Sequence, residues 1–338
     1  MRIVIFAFTG RGKATALRVR AALSDGDVWL RAPERLADEN FAPYTGSLTE
    51  CTGAVFDSDA LIFVGAAGIA VRAVAPHLAG KQTDPAVLCL DEAGRFVIPL
   101  LSGHIGGANR LARDIAAALN ATSVITTATD VNGRFSVDAW AAEHGMVITS
   151  MALAKRVSAE ILTGDVPFYT DGTRPGALAS GLVWGDAGDL GVCVSVRDLK
   201  PFRDTLLLVP RALRLGIGCR RGTSVEAIEA AVRKVLSDNK LRIEGVAGVA
   251  SIDVKADEAG LLECCRAQGW PVAFYSAAQL NAVPGSFSKS EFVKNTVGVD
   301  NVCERAAAAS GGRIIVQKTA LNGVTVAVAE EKWGIEFG

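Results

Sequence analysis

Residues 100–120 read LLSGHIGGANRLARDIAAALN, and this stretch predicts how the first part of the chain folds. A short apolar run ends in a glycine-rich turn, and a helical pattern follows directly. The apolar residues after the turn recur at intervals of three and four, which places one apolar stripe against a sheet. The stretch therefore predicts a strand, a loop and a helix over residues 105–119. The stripe consists of Ile105, Ala108, Leu111, Ala112, Ile115, Ala116 and Leu119.

The same alternation extends over residues 1–145. Strands alternating with helices are typical of a largely parallel sheet that helices cover. We therefore predict an N-terminal parallel-sheet α/β domain over this range. Its predicted strands span residues 3–8, 60–64, 86–90, 96–99 and 124–127, and its other predicted helices span residues 13–23, 69–75 and 136–144.

Residues 146–212 have a different character, because turn signals separate their short apolar runs. Strand candidates lie at residues 166–170, 182–184 and 192–196. The pattern predicts a small middle α/β domain or an insertion.

Residues 213–338 return to the α/β pattern and predict a C-terminal α/β domain. Thr223 and Glu226 have the spacing of a capping box at the start of a helix. Asn322-Gly323 predicts a tight turn between the last two strands. Strands are predicted at residues 215–218, 249–254, 272–275, 313–317 and 324–329, and helices at residues 224–236 and 258–268.

Composition narrows the classes of function. The chain has 338 residues, with 35 basic and 36 acidic side chains and a formal net charge of −1, which argues against a nucleic-acid partner. The seven cysteines include no C-x-x-C pair, which argues against a disulfide scaffold or a zinc site. No segment reads as a membrane span or a signal peptide. We expect a cytoplasmic protein without a metal of its own, whose oligomeric state stays open.

The glycine-rich turn contains the main candidates for chemistry. Glycines at a helix start let backbone N–H groups approach a ligand, and the helix dipole favours an anion there. His104 is a candidate general base, with hydrogen-bonding groups on either side. The structural alternative is a tight turn in which His104 caps a carbonyl. The candidates in this turn are Ser102, Gly103, His104, Gly106, Gly107 and Asn109.

A second glycine loop, GAAGIAVR, spans residues 65–72. Gly65 and Gly68 are candidates for contact with a ligand, and Arg72 for pairing with a carboxylate. The spacing is not G-x-G-x-x-G, so nucleotide binding is disfavoured. Close helix–sheet packing and an exposed arginine are the structural alternative.

Two further stretches follow predicted loops and strands. KQTDPAV contains Lys81 and Asp84, and ITTATD ends a predicted strand with Thr127 and Asp130. Residues at the carboxyl end of a parallel strand face the binding crevice of such a sheet. The alternative is that both aspartates are turn residues.

A third glycine loop, LGIGCRRGTS, opens the C-terminal domain. Arg220 and Arg221 are candidates for anionic groups, and Gly218 for close contact with a ligand. Cys219 lies beside them, although a packed and inert thiol is the more common outcome for such a residue.

Several of these stretches together resemble one known family. FVGAAGIAVR, KQTDPAVLCLDEAGRFVIPLLSGHIGGANRLA and VITTATD resemble the N-terminal region of the cobalamin biosynthesis CbiG family, the cobalt-precorrin-5A hydrolases. LGIGCRRGTS, GSFSKSEFV and VQKTALNGVTVAVAE resemble its C-terminal domain, which also occurs alone as the CobE-type protein. The resemblance covers nearly the whole chain and implies a C-terminal α/β domain of the CobE type.

The resemblance also implies an activity. Family members open the δ-lactone of cobalt-precorrin-5A, and a two-carbon unit then leaves as acetaldehyde to give cobalt-precorrin-5B in anaerobic cobalamin biosynthesis. The implied partner is a cobalt-corrinoid tetrapyrrole intermediate with acetate and propionate side chains, together with transient contacts to neighbouring pathway enzymes. The substrate carries its own cobalt, so we expect no cofactor.

Under this implied activity the candidates take specific roles. His104 activates water or shuttles the proton, and the N–H groups of Gly106 and Gly107 stabilise the oxyanion. Asp130 or Asp84 is the base for carbon–carbon cleavage. The alternative function is a non-catalytic corrinoid carrier, with a nucleotide-dependent enzyme as a distant third. The candidates for the peripheral carboxylates are Arg72, Lys81, Arg220 and Arg221.

Overall fold

The computed structural model describes residues 1–23, 26–80, 83–104, 106–288 and 298–337. The chain divides into two compact units, residues 1–142 and 143–338. Each unit is built from sheets covered by helices, which confirms the predicted α/β class. Within the described ranges, no helix is both long enough and apolar enough to cross a membrane.

The first unit contains one seven-stranded sheet. Its strands are β1 (Arg2–Ala7), β2 (Asp27–Pro33), β3 (Ala42–Tyr44), β4 (Ala60–Val64), β5 (Ala86–Leu90), β6 (Phe96–Leu101) and β7 (Thr122–Ser123). The order is β3-β2-β1-β4-β5-β6-β7, and all neighbours run parallel except β5 and β6. The helices of this part are α1 (Gly10–Ala22), α2 (Leu48–Ala54), α3 (Ala67–Val74), α4 (Ala108–Leu119), α5 (Ala128–Val131) and α6 (Val137–Glu143).

The central strand β1 shows why helices cover both faces of this sheet. Ile3 and Ile5 join the core that contains α1 and α4. Val4 and Phe6 join a second core, which contains residues of α2 and α3. Successive side chains of a strand point to opposite faces, so an uninterrupted apolar run requires cover on both sides.

Several predicted elements of the first unit were wrong in their bounds; helix α1, for example, begins at Gly10 instead of residue 13. Helix α4 begins at Ala108 instead of residue 105, because Gly107 precedes it with a left-handed φ of 77°. The strand predicted over residues 124–127 was wrong, because those residues form no strand. The strand nearest to them is the two-residue β7, which ends at Ser123 and pairs with the first two residues of β6. The chain then turns into α5, whose N-cap is Thr127.

The structure also contains elements that the sequence analysis did not predict in this unit. These are β2, β3, α2 and the short helix α5, and only a minority of their residues are buried. Helix α2 has a complete capping box, in which Ser47 and Glu50 bond each other's backbone N–H groups.

The second unit contains two five-stranded sheets. The first consists of β8 (Val147–Ile148), β9 (Val166–Thr170), β10 (Leu182–Trp184), β11 (Leu190–Val194) and β12 (Asp204–Val209), in the order β10-β9-β11-β12-β8. Helix α7 (Met151–Thr163) packs against it through Val157 and Ile161. Strand β11 begins and ends two residues before its predicted bounds. The division of the chain into 1–145, 146–212 and 213–338 stays a prediction.

The last sheet has the order β15-β14-β13-β17-β16. Its strands are β13 (Leu213–Cys219), β14 (Val246–Ile252), β15 (Val272–Tyr275), β16 (Arg313–Leu321) and β17 (Val324–Glu330). Asn322 and Gly323 both have positive φ, at 48° and 86°, so the predicted hairpin turn is confirmed. The helices around this sheet are α8 (Val225–Asp238), α9 (Ala259–Gln268), α10 (Ala277–Ala282) and α11 (Val302–Ala308).

The capping box predicted for α8 was wrong by one residue. Ser224 is the N-cap, and its hydroxyl accepts the N–H of Ala227. The Thr223 hydroxyl instead donates to the Arg220 carbonyl at 2.7 Å. Both residues can cap a helix, so only the path of the preceding loop selects between them.

Strand β13 lies very close to α11. A Cβ atom added to Gly216 would lie 1.7 Å from the carbonyl oxygen of Cys303. Leu215 and Ile217, on either side, point to the opposite face and pack with α8 and α9. The glycine in LGIG is therefore required for the helix to reach the sheet.

We expect the substitution Gly216→Ala to destabilise the second unit by about 2 to 4 kcal/mol, because helix α11 must move to admit the methyl group. Denaturant unfolding measures the change. Gly176→Ala is the matched control, since a Cβ atom there meets no atom within 4 Å. Equal unfolding midpoints for the two variants would contradict the packing argument.

Candidate active site

The imidazole of His104 lies between two carboxylates. Its Nε2 is 3.0 Å from Asp130 Oδ2, and its Nδ1 is 3.1 Å from Asp138 Oδ1. The Ser136 hydroxyl lies 3.2 Å from the same Nδ1. The side chains of His104 and Asp130 are only 17% and 15% exposed. A partly buried ring with one carboxylate at each nitrogen favours the imidazolium form.

The three charged groups come from three different segments. His104 belongs to the loop between β6 and α4, Asp130 lies in α5, and Asp138 lies in the first turn of α6. The cluster therefore ties the glycine-rich loop to the two short helices that follow α4. We call these three residues the histidine–carboxylate cluster.

The Asp130 carboxylate has further donors besides His104. Its Oδ2 accepts the Thr127 hydroxyl at 2.6 Å and the Asn109 side-chain amide at 3.0 Å. Its Oδ1 accepts a hydrogen bond from the Arg113 guanidinium. Asn109 and Thr127, both predicted as site residues, thus meet at Asp130.

The pKa values of the cluster reflect these contacts. The hydrogen bond to Asp138, aided by Asp130, raises the pKa of His104 above its ordinary value despite the opposing effect of burial. Burial alone would raise the pKa of Asp130, but hydrogen bonds from Thr127, His104 and Arg113 outweigh it, so the pKa is lowered. The pKa of Asp138 is also lowered, because its bonds to His104 outweigh burial. The cluster therefore consists of one imidazolium and two carboxylates, and His104 is its proton donor.

The glycine-rich loop closes on itself through backbone hydrogen bonds. The donor and acceptor pairs are Gly107 to His104 at 2.9 Å, Ala108 to Ser102 at 3.1 Å, and Asn109 to Gly103 at 2.9 Å. In this structure the Gly107 N–H donates to the His104 carbonyl, so it is not available for the oxyanion contact that was predicted for it. The loop carbonyls occupy donors that an open helix start would offer to an anion.

Steric contacts explain the composition of this loop. A Cβ atom added to Gly106 would lie 2.4 Å from Ser102 Cβ, and Gly107 has positive φ. Ser102 itself has a left-handed φ of 55°, and its hydroxyl donates to the Asp84 carbonyl at 2.9 Å. The tight-turn interpretation of the glycines is correct, whereas the imidazole of His104 faces carboxylates instead of capping a carbonyl.

Asp84, the other candidate base, has a different environment. Its carboxylate accepts the backbone N–H groups of Ala79 and Gly80, at 2.9 and 3.0 Å. The side chain thus shapes its own turn, and only its backbone carbonyl contacts Ser102. Lys81 lies outside the described residues.

In the loop of residues 65–72, the structure shows the close packing at Gly65 and the exposed arginine that were given as the alternative to ligand binding. A Cβ atom added to Gly65 would lie 2.7 Å from the Phe8 ring, so a small residue is needed there. Arg72 is exposed, and its guanidinium lies 3.4 Å from the Gly68 carbonyl oxygen. Ligand contacts of these residues stay predictions.

The remaining candidates belong to the second unit. Arg221 forms an exposed ion pair with Asp257 at 2.9 Å. Burial raises the pKa of the Cys219 thiol, as expected for a packed thiol. Gly218 and Arg220 lie at the junction of β13 and the loop before α8. Anion binding by the two arginines stays a prediction.

Three members of the site were missed by the sequence analysis, namely Ser136, Asp138 and Arg113. Ser136 and Asp138 form an S-x-D start of a helix, which reads as ordinary capping. Arg113 follows Asn109 by four residues and therefore shares its helix face. That spacing was the one available signal.

Among the described residues, no group of three or more histidine, cysteine, aspartate or glutamate side chains is arranged to hold a metal ion. The expectation that the protein supplies no metal of its own stays a prediction.

Two regions of the chain match models of known protein families. Residues 50–130 match the family model described as Cobalamin synthesis G N-terminal. Residues 213–329 match the model described as Cobalamin synthesis G C-terminus. The first match contains His104 and Asp130, and it ends before Asp138. Together the two matches define the class, a cobalamin-synthesis protein.

Individual relatives specify the family further. A cobalt-precorrin-5A hydrolase of Priestia megaterium is 32% identical over 357 residues, covering 96% of this chain and 94% of that protein. One of Salmonella typhimurium is 34% identical over 343 residues, covering 96% of each chain. Protein CobE of Sinorhizobium sp is 36% identical over 121 residues, covering 35% of this chain and 79% of that protein. The chain belongs to the cobalt-precorrin-5A hydrolase family.

We expect Asp138→Asn to reduce stability more at pH 6 than at pH 9. The folded-state pKa of His104 is raised, so its pairing stabilises fully below about pH 6.5 and is lost as the pH rises through the raised value. Denaturant unfolding at the two pH values measures the difference. Asp114→Asn is the control, because Asp114 is exposed on α4. An equal loss at both pH values would show that the ion pair is not the cause.

Proposed function

We propose that this chain is a cobalt-precorrin-5A hydrolase that opens the δ-lactone of its substrate and releases acetaldehyde, giving cobalt-precorrin-5B. The observation that carries the proposal is the histidine–carboxylate cluster, which provides an acid of raised pKa in a chain of this family. Lactone hydrolysis needs a proton for the leaving alkoxide, and an imidazolium supplies one at neutral pH.

In the first step, water adds to the lactone carbonyl carbon and gives its proton to solvent. The carbon–oxygen bond of the ring then breaks, and the departing oxygen takes the proton of His104. The products are a carboxylic acid, a free alcohol and a neutral imidazole. The carboxylic acid then loses the second proton of the added water to solvent and becomes a carboxylate. This sequence gives His104 the role of proton shuttle that the sequence analysis included, with the acid form acting first.

In the second step, the neutral imidazole is the base. It removes the proton of the freed alcohol, a carbonyl forms, and the adjacent carbon–carbon bond breaks to release acetaldehyde. The conjugated macrocycle accepts the electron pair and is later protonated by solvent. His104 is again an imidazolium. Asp130 is a poorer base than expected, because hydrogen bonds to its carboxylate lower its pKa. The Asp84 carboxylate accepts the backbone N–H groups of Ala79 and Gly80 and lies outside the cluster.

An exposed apolar residue next to Asp130 offers a contact surface for the macrocycle. The adjacent Val131 is 67% exposed, which offers an apolar contact to a large flat ligand beside the charged cluster. For Nε2–H to reach the substrate, Asp130 must give up its place at that nitrogen. Thr127 and Asn109 would still hold its carboxylate. Catalytic hydrogen bonds often form only in the substrate complex.

The proposal includes the cellular setting. The substrate brings its own cobalt, and neither step requires a cofactor from the protein. All seven cysteines are free thiols, which fits a cytoplasmic location. Transient contacts with neighbouring pathway enzymes would pass the intermediate onward.

We expect the purified protein to release acetaldehyde from cobalt-precorrin-5A, and His104→Ala to lower turnover about 100-fold or more, because the only acid of the cluster is lost. Trapping the aldehyde measures both. His144→Ala is the control, since that histidine is exposed and outside the cluster. Thermal unfolding checks that each variant is folded.

The possible outcomes separate the alternatives. Full activity in a folded His104→Ala protein would remove the proposed role of this residue and leave the hydrolase intact. Tight corrinoid binding by the wild-type protein without acetaldehyde would contradict the hydrolase and favour the corrinoid carrier.

A further inference from the structure

Arg113 has an unusual position beside the histidine–carboxylate cluster. It lies on α4, and its side chain is 51% exposed. One terminal nitrogen, Nη2, bonds Asp130 Oδ1. Within the described parts of the chain, its guanidinium makes no other hydrogen bond or ion pair. The remaining donors are therefore available to a ligand.

The chemistry of the guanidinium defines that ligand. Arginine presents five N–H donors in a rigid planar fork, and a carboxylate matches two of them at once. Lysine offers only a point charge and lacks this geometry. Because Asp130 already holds one corner of the fork, less side-chain freedom is lost when a second carboxylate binds.

We propose that Arg113 is a specificity-determining residue that binds a side-chain carboxylate of the substrate next to His104. This inference rests on the proposed function, since it names how the same site selects its substrate. Asp130 connects the two residues, with Oδ1 at Arg113 and Oδ2 at His104. A carboxylate on the outer edge of the guanidinium would therefore bind beside the cluster that contains the acid.

A neighbouring arginine provides an internal comparison. Arg110 lies on the same helix, one turn before Arg113, and is exposed. In the part of the chain that the structure describes, no carboxylate orients it. A general effect of positive charge would involve both arginines, whereas the proposal involves Arg113 alone.

The experiment compares Arg113→Gln, Arg113→Lys and Arg110→Gln with the wild-type protein. Corrinoid absorbance follows the binding of cobalt-precorrin-5A, and acetaldehyde release gives kcat and KM. We expect Arg113→Gln to raise Kd and KM about 10- to 100-fold with a smaller effect on kcat, as for the loss of a charged hydrogen-bonded pair. Arg113→Lys should recover part of the affinity, and Arg110→Gln should match the wild type.

A chemical variant of the substrate tests the carboxylate itself. With the side-chain carboxylates converted to methyl esters, the wild-type protein and Arg113→Gln should bind equally well. Unchanged affinity in Arg113→Gln, an equal loss in Arg110→Gln, or a fall in kcat alone would overturn the inference. If the wild-type protein binds the corrinoid but releases no acetaldehyde, the proposed function fails, and the Kd comparison still decides the role of Arg113.

Discussion

The pairing of one imidazolium with two carboxylates is the constraint on which the site of the first unit depends. His104 lies in a loop, Asp130 in α5 and Asp138 in α6, so no single helix or strand holds any two of them together. Burying any one of these charges alone would be costly, and each is compensated only where the three segments meet. The position of the glycine-rich loop relative to α5 and α6 is therefore set by electrostatics as much as by packing.

The glycine-rich loop serves this pairing by being compact. Its carbonyls accept the N–H groups at the start of α4, and Gly106 leaves room for Ser102. A loop of larger residues would displace His104 from the carboxylates. The glycines thus act on the chemistry indirectly, through the placement of one side chain, and the first turn of α4 is largely occupied by its own loop.

Much of this architecture could be predicted from the sequence, because local patterns carry it. Strands β4, β5 and β15 have their predicted bounds, since each is a short apolar run between turn signals. The bounds of β7 depend on how far its partner strand extends, which no local pattern contains. Asn109, Thr127 and Asp130 were predicted separately, but their convergence is tertiary. Asp138 could not be found, because S-x-D at a helix start is usually structural.

The two carboxylates of the cluster also determine where its proton can go. Asp130 and Asp138 are both held ionised by their donors, so neither accepts a proton near neutral pH. The cluster then has a single exchangeable proton, on the imidazole, and neither of its carboxylates can accept that proton. A proton that leaves His104 must therefore go to a bound ligand or to solvent. The cluster holds one transferable proton and can only release it outside the cluster.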